Sequence, residues 1–176
     1  MSDSDDEILV SMFPEPPRPP SPEPTISIYN RNKTFIKSPE DWEEIKIRLV
    51  GDHPLWGHYL WNAARSFATY LDEHRDLYEN RNVLELGAAG ALPSLVAGKN
   101  NARLVVSTDY PDAALIKNIE QNIKTNLTLE EQDRTVAQGY TWGRPVDQLL
   151  EISSSRTGQG RYDPIILSDL VFNHPQ

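Results

Sequence analysis

The chain has 176 residues, 38% of them hydrophobic and 24% charged, which is enough for one globular domain and little more. Its net charge is −9, and a chain this acidic is poorly suited to neutralising phosphates, so direct binding of nucleic acid is not expected. With no cysteine and four histidines that show no ligand spacing, disulfide frameworks, Cys nucleophiles and a metal centre fall outside the expectation.

Residues 1–25 read as a disordered acidic tail, with six acids against one base and seven of the 14 prolines between Pro14 and Pro24. The acidic start is unlike a secretory or mitochondrial address, and no apolar run reaches the roughly 18 residues of a membrane span. A cytoplasmic monomer that does not engage membranes is therefore expected. ISIYN and KTFIK read as short strands or extended segments. Ser38-Pro39-Glu40-Asp41 has the form of a helix start, which predicts a helix over DWEEIKIRL. A second helix is expected where Leu60, Ala64, Phe67 and Leu71 recur at spacings of three and four.

From residue 82 apolar strands and helices alternate. NVLELG is a strand ending in glycine, ALPSLVAG a helix stopped at Gly98, and RLVVSTD a second strand ending in an acid. DAALIKNIEQNIKTNL is a helix capped by Asp112, with Ile116, Ile119, Ile123 and Leu127 on one face. RTVAQGYTWG supplies a third strand, PVDQLLEI a short helix, SSSRTGQGR a loop and DPIILSDLVF a fourth strand. The alternation predicts parallel βαβ units in an α/β doubly wound sheet. Such a sheet needs five or more strands, and four are found, so the chain reads as truncated at its C-terminus, with its last strands missing and the domain of residues 26–176 incomplete.

Strand–glycine–helix at Val83 to Gly90 has the form of a nucleotide-cofactor turn, in which a side chain at Gly87 would keep the ligand off the backbone. Asp109 lies 22 residues beyond Gly87 at the end of the next strand, where a carboxylate can take both hydroxyls of a ribose. A helix-capping role for Asp109 is the competing reading, but Asp112 already fills that role. The row Gly87-Ala88-Ala89-Gly90-Ala91 is not GxGxxG, and Glu85 inside the strand opposes a phosphate while suiting a cationic ligand. That disfavours an NAD-dependent dehydrogenase and fits S-adenosylmethionine, whose charges are a sulfonium and an ammonium.

These motifs, together with LWGHYLWNA at 55–63, VLELGAAGALPSL at 83–95, TDYPD at 108–112, GYTWG at 139–143 and LSDLVFNH at 167–174, resemble the seven-β-strand methyltransferase family 16. The resemblance runs from about residue 25 to 176, and within the family it is to the fungal nicotinamide N-methyltransferase-like group. It implies a class I, Rossmann-like methyltransferase fold and S-adenosyl-L-methionine as cofactor. Trp56 would lie over the cofactor, and Glu85, Gly87, Ala88 and Ala89 would line its amino-acid part. Asp109 would hold the ribose with Tyr110 beside it, Trp142 would pack by the adenine, and Ser168 would close the pocket. Ala89 and Ala91 stand where the wider superfamily prefers glycine, and Phe172 where relatives often carry tyrosine.

Methyl transfer to an amine is an in-line displacement, so the protein chiefly positions donor and acceptor and keeps the amine neutral. The group implied by the resemblance methylates the N-terminal glycine and adjacent lysine of translation elongation factor 1-alpha. Asp169 would orient the incoming ammonium or accept its proton, and Phe172 would form an apolar wall beside it. Two other functions compete: N-methylation of a small amine such as nicotinamide, and a catalytically inactive, truncated binding module.

Overall fold

The computed structural model describes residues 23–51, 58–168 and 170. Most of the expected acidic tail, residues 1–22, lies outside that set, as do Trp56, Asp169 and Phe172.

The first described elements form a hairpin. Strand β1, Thr25–Asn30, pairs antiparallel with β2, Glu44–Leu49, in the register Ile28↔Lys46. The expected helix over DWEEIKIRL is thus corrected to a strand, because Ile45, Ile47 and Leu49 alternate and all three are buried on one face. The serine–proline start still acts as a local cap: Asp41 accepts from the backbone N–H of Lys37 at 2.6 Å and of Ser38 at 3.2 Å, closing a turn. KTFIK opens with a single 3₁₀ turn over Lys33–Phe35, with Asn32 accepting from Thr34 N–H, and becomes extended only at Ile36.

Helix α1, Asn62–Glu73, carries Ala68, Leu71 and Asp72 into the interior. The expected β–α alternation follows: β3 Asn82–Leu86, α2 Leu92–Lys99, β4 Leu104–Asp109, α3 Ala113–Asn126, α4 Leu129–Asp133, β5 Thr135–Gly139, α5 Asp147–Thr157 and β6 Ile165–Ile166. Helix α2 runs on past Gly98, where the sequence reading stops it. Helix α3 starts as read, its cap Asp112 accepting from Ala114 N–H at 2.8 Å and Leu115 N–H at 3.3 Å. Helix α4 goes unread in the sequence, although Thr128 and Glu131 form a complete capping box. The serine-rich loop is corrected at its start: α5 continues through SSSRT to a left-handed Gly158. Ser153 is buried there and accepts from the Asn82 amide at 3.1 Å, which holds residues of modest helix propensity in place. Among the described residues of DPIILSDLVF, Ile165 and Ile166 are the ones that pair.

The four parallel strands lie in the order β5-β4-β3-β6. Val83 and Val105 share one core with α1, α2 and α3, while Leu84, Leu104 and Val106 share another with Leu149 of α5. The sheet is covered on both faces, which is why β3 and β4 read as nearly unbroken apolar runs. From β3 the chain winds outward to β5 and then returns to the other side of β3, so the strand order reverses between β3 and β6. Open α/β sheets bind ligands beyond the carboxyl ends of strands at such a reversal.

Candidate functional site

A cavity of about 360 Å³ opens at that reversal. The ends of β3 and β4, the segments after β5 and β6, and the start of α1 all contribute to its wall.

The loop leaving β3 is an unusual stretch of backbone. Gly87 has φ +65°, Ala89 +47° and Ala91 +60°, so the left-handed region recurs at every second residue. Glycine adopts this conformation freely, whereas alanine pays about 1 kcal/mol or more at each position. The two strained alanines are held by their neighbours: Ala89 N–H donates to Asp109 Oδ2 at 2.7 Å and Ala91 N–H to the Ala88 carbonyl at 2.6 Å. A Cβ built on Gly87 would stand 2.4 Å from Leu170 and 3.3 Å from the Trp142 ring, at the cavity wall. A side chain at Gly87 would therefore intrude on the space between the loop, Leu170 and Trp142.

Asp109 ends β4 and is 9% exposed. Its second oxygen, Oδ1, accepts from Tyr110 N–H at 2.7 Å, so one carboxylate ties the β3 loop to the end of β4 while still facing the cavity. Of the residues named for the cofactor, Glu85, Gly87, Ala88, Ala89, Asp109, Tyr110, Trp142 and Ser168 all line this one space, and Trp56 lies outside the described residues. Tyr110 and Trp142 are half exposed at its mouth. The Ser168 hydroxyl is buried and has no hydrogen-bond partner among the described residues, a cost a ligand could relieve. Among the described residues, no cluster of His and acid side chains could hold a metal ion, and no helix is long and apolar enough to cross a membrane.

Glu85 is fully enclosed. It accepts from Ser94 N–H at 3.1 Å and from the Ser94 hydroxyl, both at the first turn of α2. Burial raises its pKa from 4.5 to about 7; the Ser94 bonds oppose the rise and the nearby Asp109 charge adds to it. Because the folded-state value lies above the unfolded one, Glu85 destabilises the fold progressively as pH climbs from about 4.5 through 7. Replacing it with glutamine is expected to flatten that slope, with the variant gaining roughly 2–3 kcal/mol on the native chain between pH 5 and pH 8. Urea titrations at the two pH values measure the difference, and parallel stability curves would refute it.

Sequence reasoning missed several lining residues: Tyr59, Leu60, Trp61, Tyr140, Thr141 and Leu170. Tyr59 and Trp61 stack edge to face with centroids 5.0 Å apart, just before α1. Their signal lies in LWGHYLWNA, where three aromatic residues precede a helix. Tyr140 follows β5 directly and donates to the Asp109 carbonyl through its backbone N–H at 2.8 Å. Asp169 and Phe172 lie outside the described residues; Ser168 and Leu170 line the cavity.

Residues 41–176 match a protein-family model described as lysine methyltransferase. A protein N-terminal and lysine N-methyltransferase, EFM7, of Kluyveromyces lactis is 44% identical over 171 residues, covering 89% of this chain and 63% of the relative. The protein of the same name in Schizosaccharomyces pombe is 42% identical over the whole of this chain and 67% of its own length. That of Cryptococcus neoformans strain B-3501A is 44% identical, covering 96% of this chain and 56% of the relative. The chain thus spans roughly two thirds or less of the length of these relatives.

Proposed function

The chain belongs to the lysine methyltransferase family, and on that premise we propose that it is an S-adenosylmethionine-dependent protein N-methyltransferase acting on the N-terminal glycine and adjacent lysine of elongation factor 1-alpha. The observation that carries the cofactor half is the convergence of Gly87, Asp109 and the unpartnered Ser168 hydroxyl on one cavity at the strand-order reversal. Those residues fit the cofactor. Gly87 opens the backbone to a ligand, Asp109 presents a carboxylate to a ribose diol, and Ser168 offers one hydroxyl as donor or acceptor. Glu85 adds a buried carboxyl group with no cationic side chain among its bonding partners, an environment that favours a cation and opposes a diphosphate. Tyr110 and Trp142 offer flat apolar faces for the base.

When bound, S-adenosylmethionine supplies a methyl group already activated on sulfonium. The chain's remaining task is to bring a neutral amine in line and to handle its proton. An N-terminal α-amine, with a pKa near 8, is partly neutral at cellular pH, whereas a lysine near 10.4 must be desolvated first. Asp169 and Phe172, next to the cavity-lining Ser168 and Leu170, are the residues proposed to orient that amine and wall it from water. The names of the relatives support the protein N-terminus and lysine as acceptors, and the acidic charge of the chain suits a basic target. A cytoplasmic site of action follows from a translation factor as substrate.

Two measurements test the reading. Calorimetric titration with S-adenosylhomocysteine should give micromolar binding that Asp109→Ala loses. Mass spectrometry of elongation factor 1-alpha, incubated with the chain and S-adenosylmethionine, should show added mass of methyl groups on its N-terminal peptide. Nicotinamide turned over in preference to that peptide would overturn the substrate assignment.

A further inference from the structure

Among the described residues, strand β2 has β1 on one edge only. The backbone groups of Lys46 and Arg48 on its other edge do not meet another strand; they meet asparagines of α3. Asn126 accepts from Lys46 N–H at 2.8 Å and donates to the Lys46 carbonyl at 2.9 Å. Asn122 does the same for Arg48, at 2.8 Å in both directions, and Asn118 donates to the Arg48 carbonyl at 2.9 Å. The fit is geometric. Every fourth residue of a helix advances about 6.0 Å and every second residue of a strand about 6.8 Å, so amides at positions 122 and 126 keep step with the outward groups of Lys46 and Arg48. The asparagines stand in for a missing strand.

Asn126 turns its remaining amide hydrogen back on the Asn122 carbonyl at 2.8 Å, within the helix, whereas Asn122 reaches out of it. Its remaining amide hydrogen donates to the carbonyl of Gly90 at 3.1 Å, in the left-handed loop that walls the cavity. Asn122 is 1% exposed, and its three bonds use both donors and the acceptor. Gly90 is also where the hairpin presses on that loop: a Cβ there would lie 2.4 Å from Ile47 and 3.3 Å from Leu49. The loop holds two alanines in the left-handed region, a conformation that persists only if its surroundings impose it.

We propose that Asn122 is a positioning residue for the ligand-binding loop, coupling the order of the β1–β2 hairpin to the shape of the cavity through the Gly90 carbonyl. The coupling to ligand affinity rests on the reading that this cavity takes the cofactor. The coupling to loop order does not.

The test compares Asn122→Ala with Asn126→Ala in the full chain. Both lose a pair of bonds to β2, and only the first releases Gly90. Hydrogen exchange of the loop amides of Ala89 and Ala91, measured without ligand, is expected to accelerate about tenfold in Asn122→Ala and to stay at the native rate in Asn126→Ala. Equal acceleration in both variants, or none in either, would overturn the proposal. If Asn122→Ala does not fold, Asn122→Asp is read in its place, since it keeps the shape and the acceptor for Arg48 but loses the donors. Affinity for S-adenosylhomocysteine is then expected to fall by about tenfold for Asn122→Ala alone. A native chain that binds no S-adenosylhomocysteine would sink the cofactor assignment and leave the exchange result to decide the role of Asn122.

Discussion

Gly87→Val is expected to abolish cofactor binding while leaving a folded protein. At φ +65° any L side chain is strained, and a β-branched one most of all, because two heavy atoms on Cβ crowd the backbone on either side. The new Cβ would also fall 2.4 Å from the end of Leu170 and 3.3 Å from the Trp142 ring. Leu170 is flexible enough to give way at modest cost, so the protein can still fold. What it cannot do is keep the same cavity, since the displaced side chains line it and the added methyl groups occupy the path to the loop backbone. Backbone strain of about 1–2 kcal/mol with the steric term beside it predicts a loss of a hundredfold or more in affinity for S-adenosylhomocysteine. Calorimetry measures the affinity, and a circular-dichroism melt shows whether the fold survives. Native affinity in the valine variant would mean that the ligand does not approach the backbone at Gly87, and that residue would lose its place in the site.

Gly87 and Asp109 were legible in the sequence because they follow from local grammar. A parallel strand buried on both faces is an apolar run, and what ends that run projects toward the site. VLELG and VVSTD announce their own ends. Helix α3 was legible for a similar reason, since Asp112 and the isoleucine spacing fix both its start and its face. EIKIRL was misread because its alternation spans only five residues and a sound turn signal stood just before it. What makes it a strand is β1 on one edge and the asparagines of α3 on the other, at sequence separations of 70 to 80 that no local pattern records. The end of α5 depends likewise on Asn82, more than 70 residues away. Tyr59, Trp61 and Tyr140 join the site through the path of the chain between elements, and Asn122 through a carbonyl 32 residues distant. An asparagine on a helix face carries no mark of that duty.

The largest loss of stability is expected on the far side of the hairpin, from Asp72→Ala. Arg31, just past β1, donates to Asp72 of α1 through two nitrogens, at 2.7 and 3.0 Å, and both side chains are essentially inaccessible, at 1% and 0% exposure. The same carboxylate accepts from Arg75 at 3.0 Å and from Asn100, at the end of α2, also at 3.0 Å. Trp42 closes the cluster, its ring 4.3 Å from the Arg31 guanidinium and its indole N–H donating to Asn100. One carboxylate therefore joins the hairpin, α1 and α2. Burying two charges is expensive, and the pair itself offers little net gain; what costs heavily is removing one partner and leaving the other charged and enclosed. Asp72→Ala strands Arg31 in that position, whereas Arg75 remains partly solvated. The expected cost is about 3–5 kcal/mol, a large share of the 5–15 kcal/mol that holds a typical domain, with a melting point lower by about 10 °C or more. The decisive comparison is the double variant Arg31→Met with Asp72→Leu, which removes both charges at similar volume. It should recover most of the loss in a urea titration. If the double variant is as unstable as Asp72→Ala, the pair's worth lies in its hydrogen-bond geometry rather than in avoiding a buried charge. The clamp would then be a specific joint between hairpin and body, and the hairpin's grip on the loop at Gly90 would depend on it.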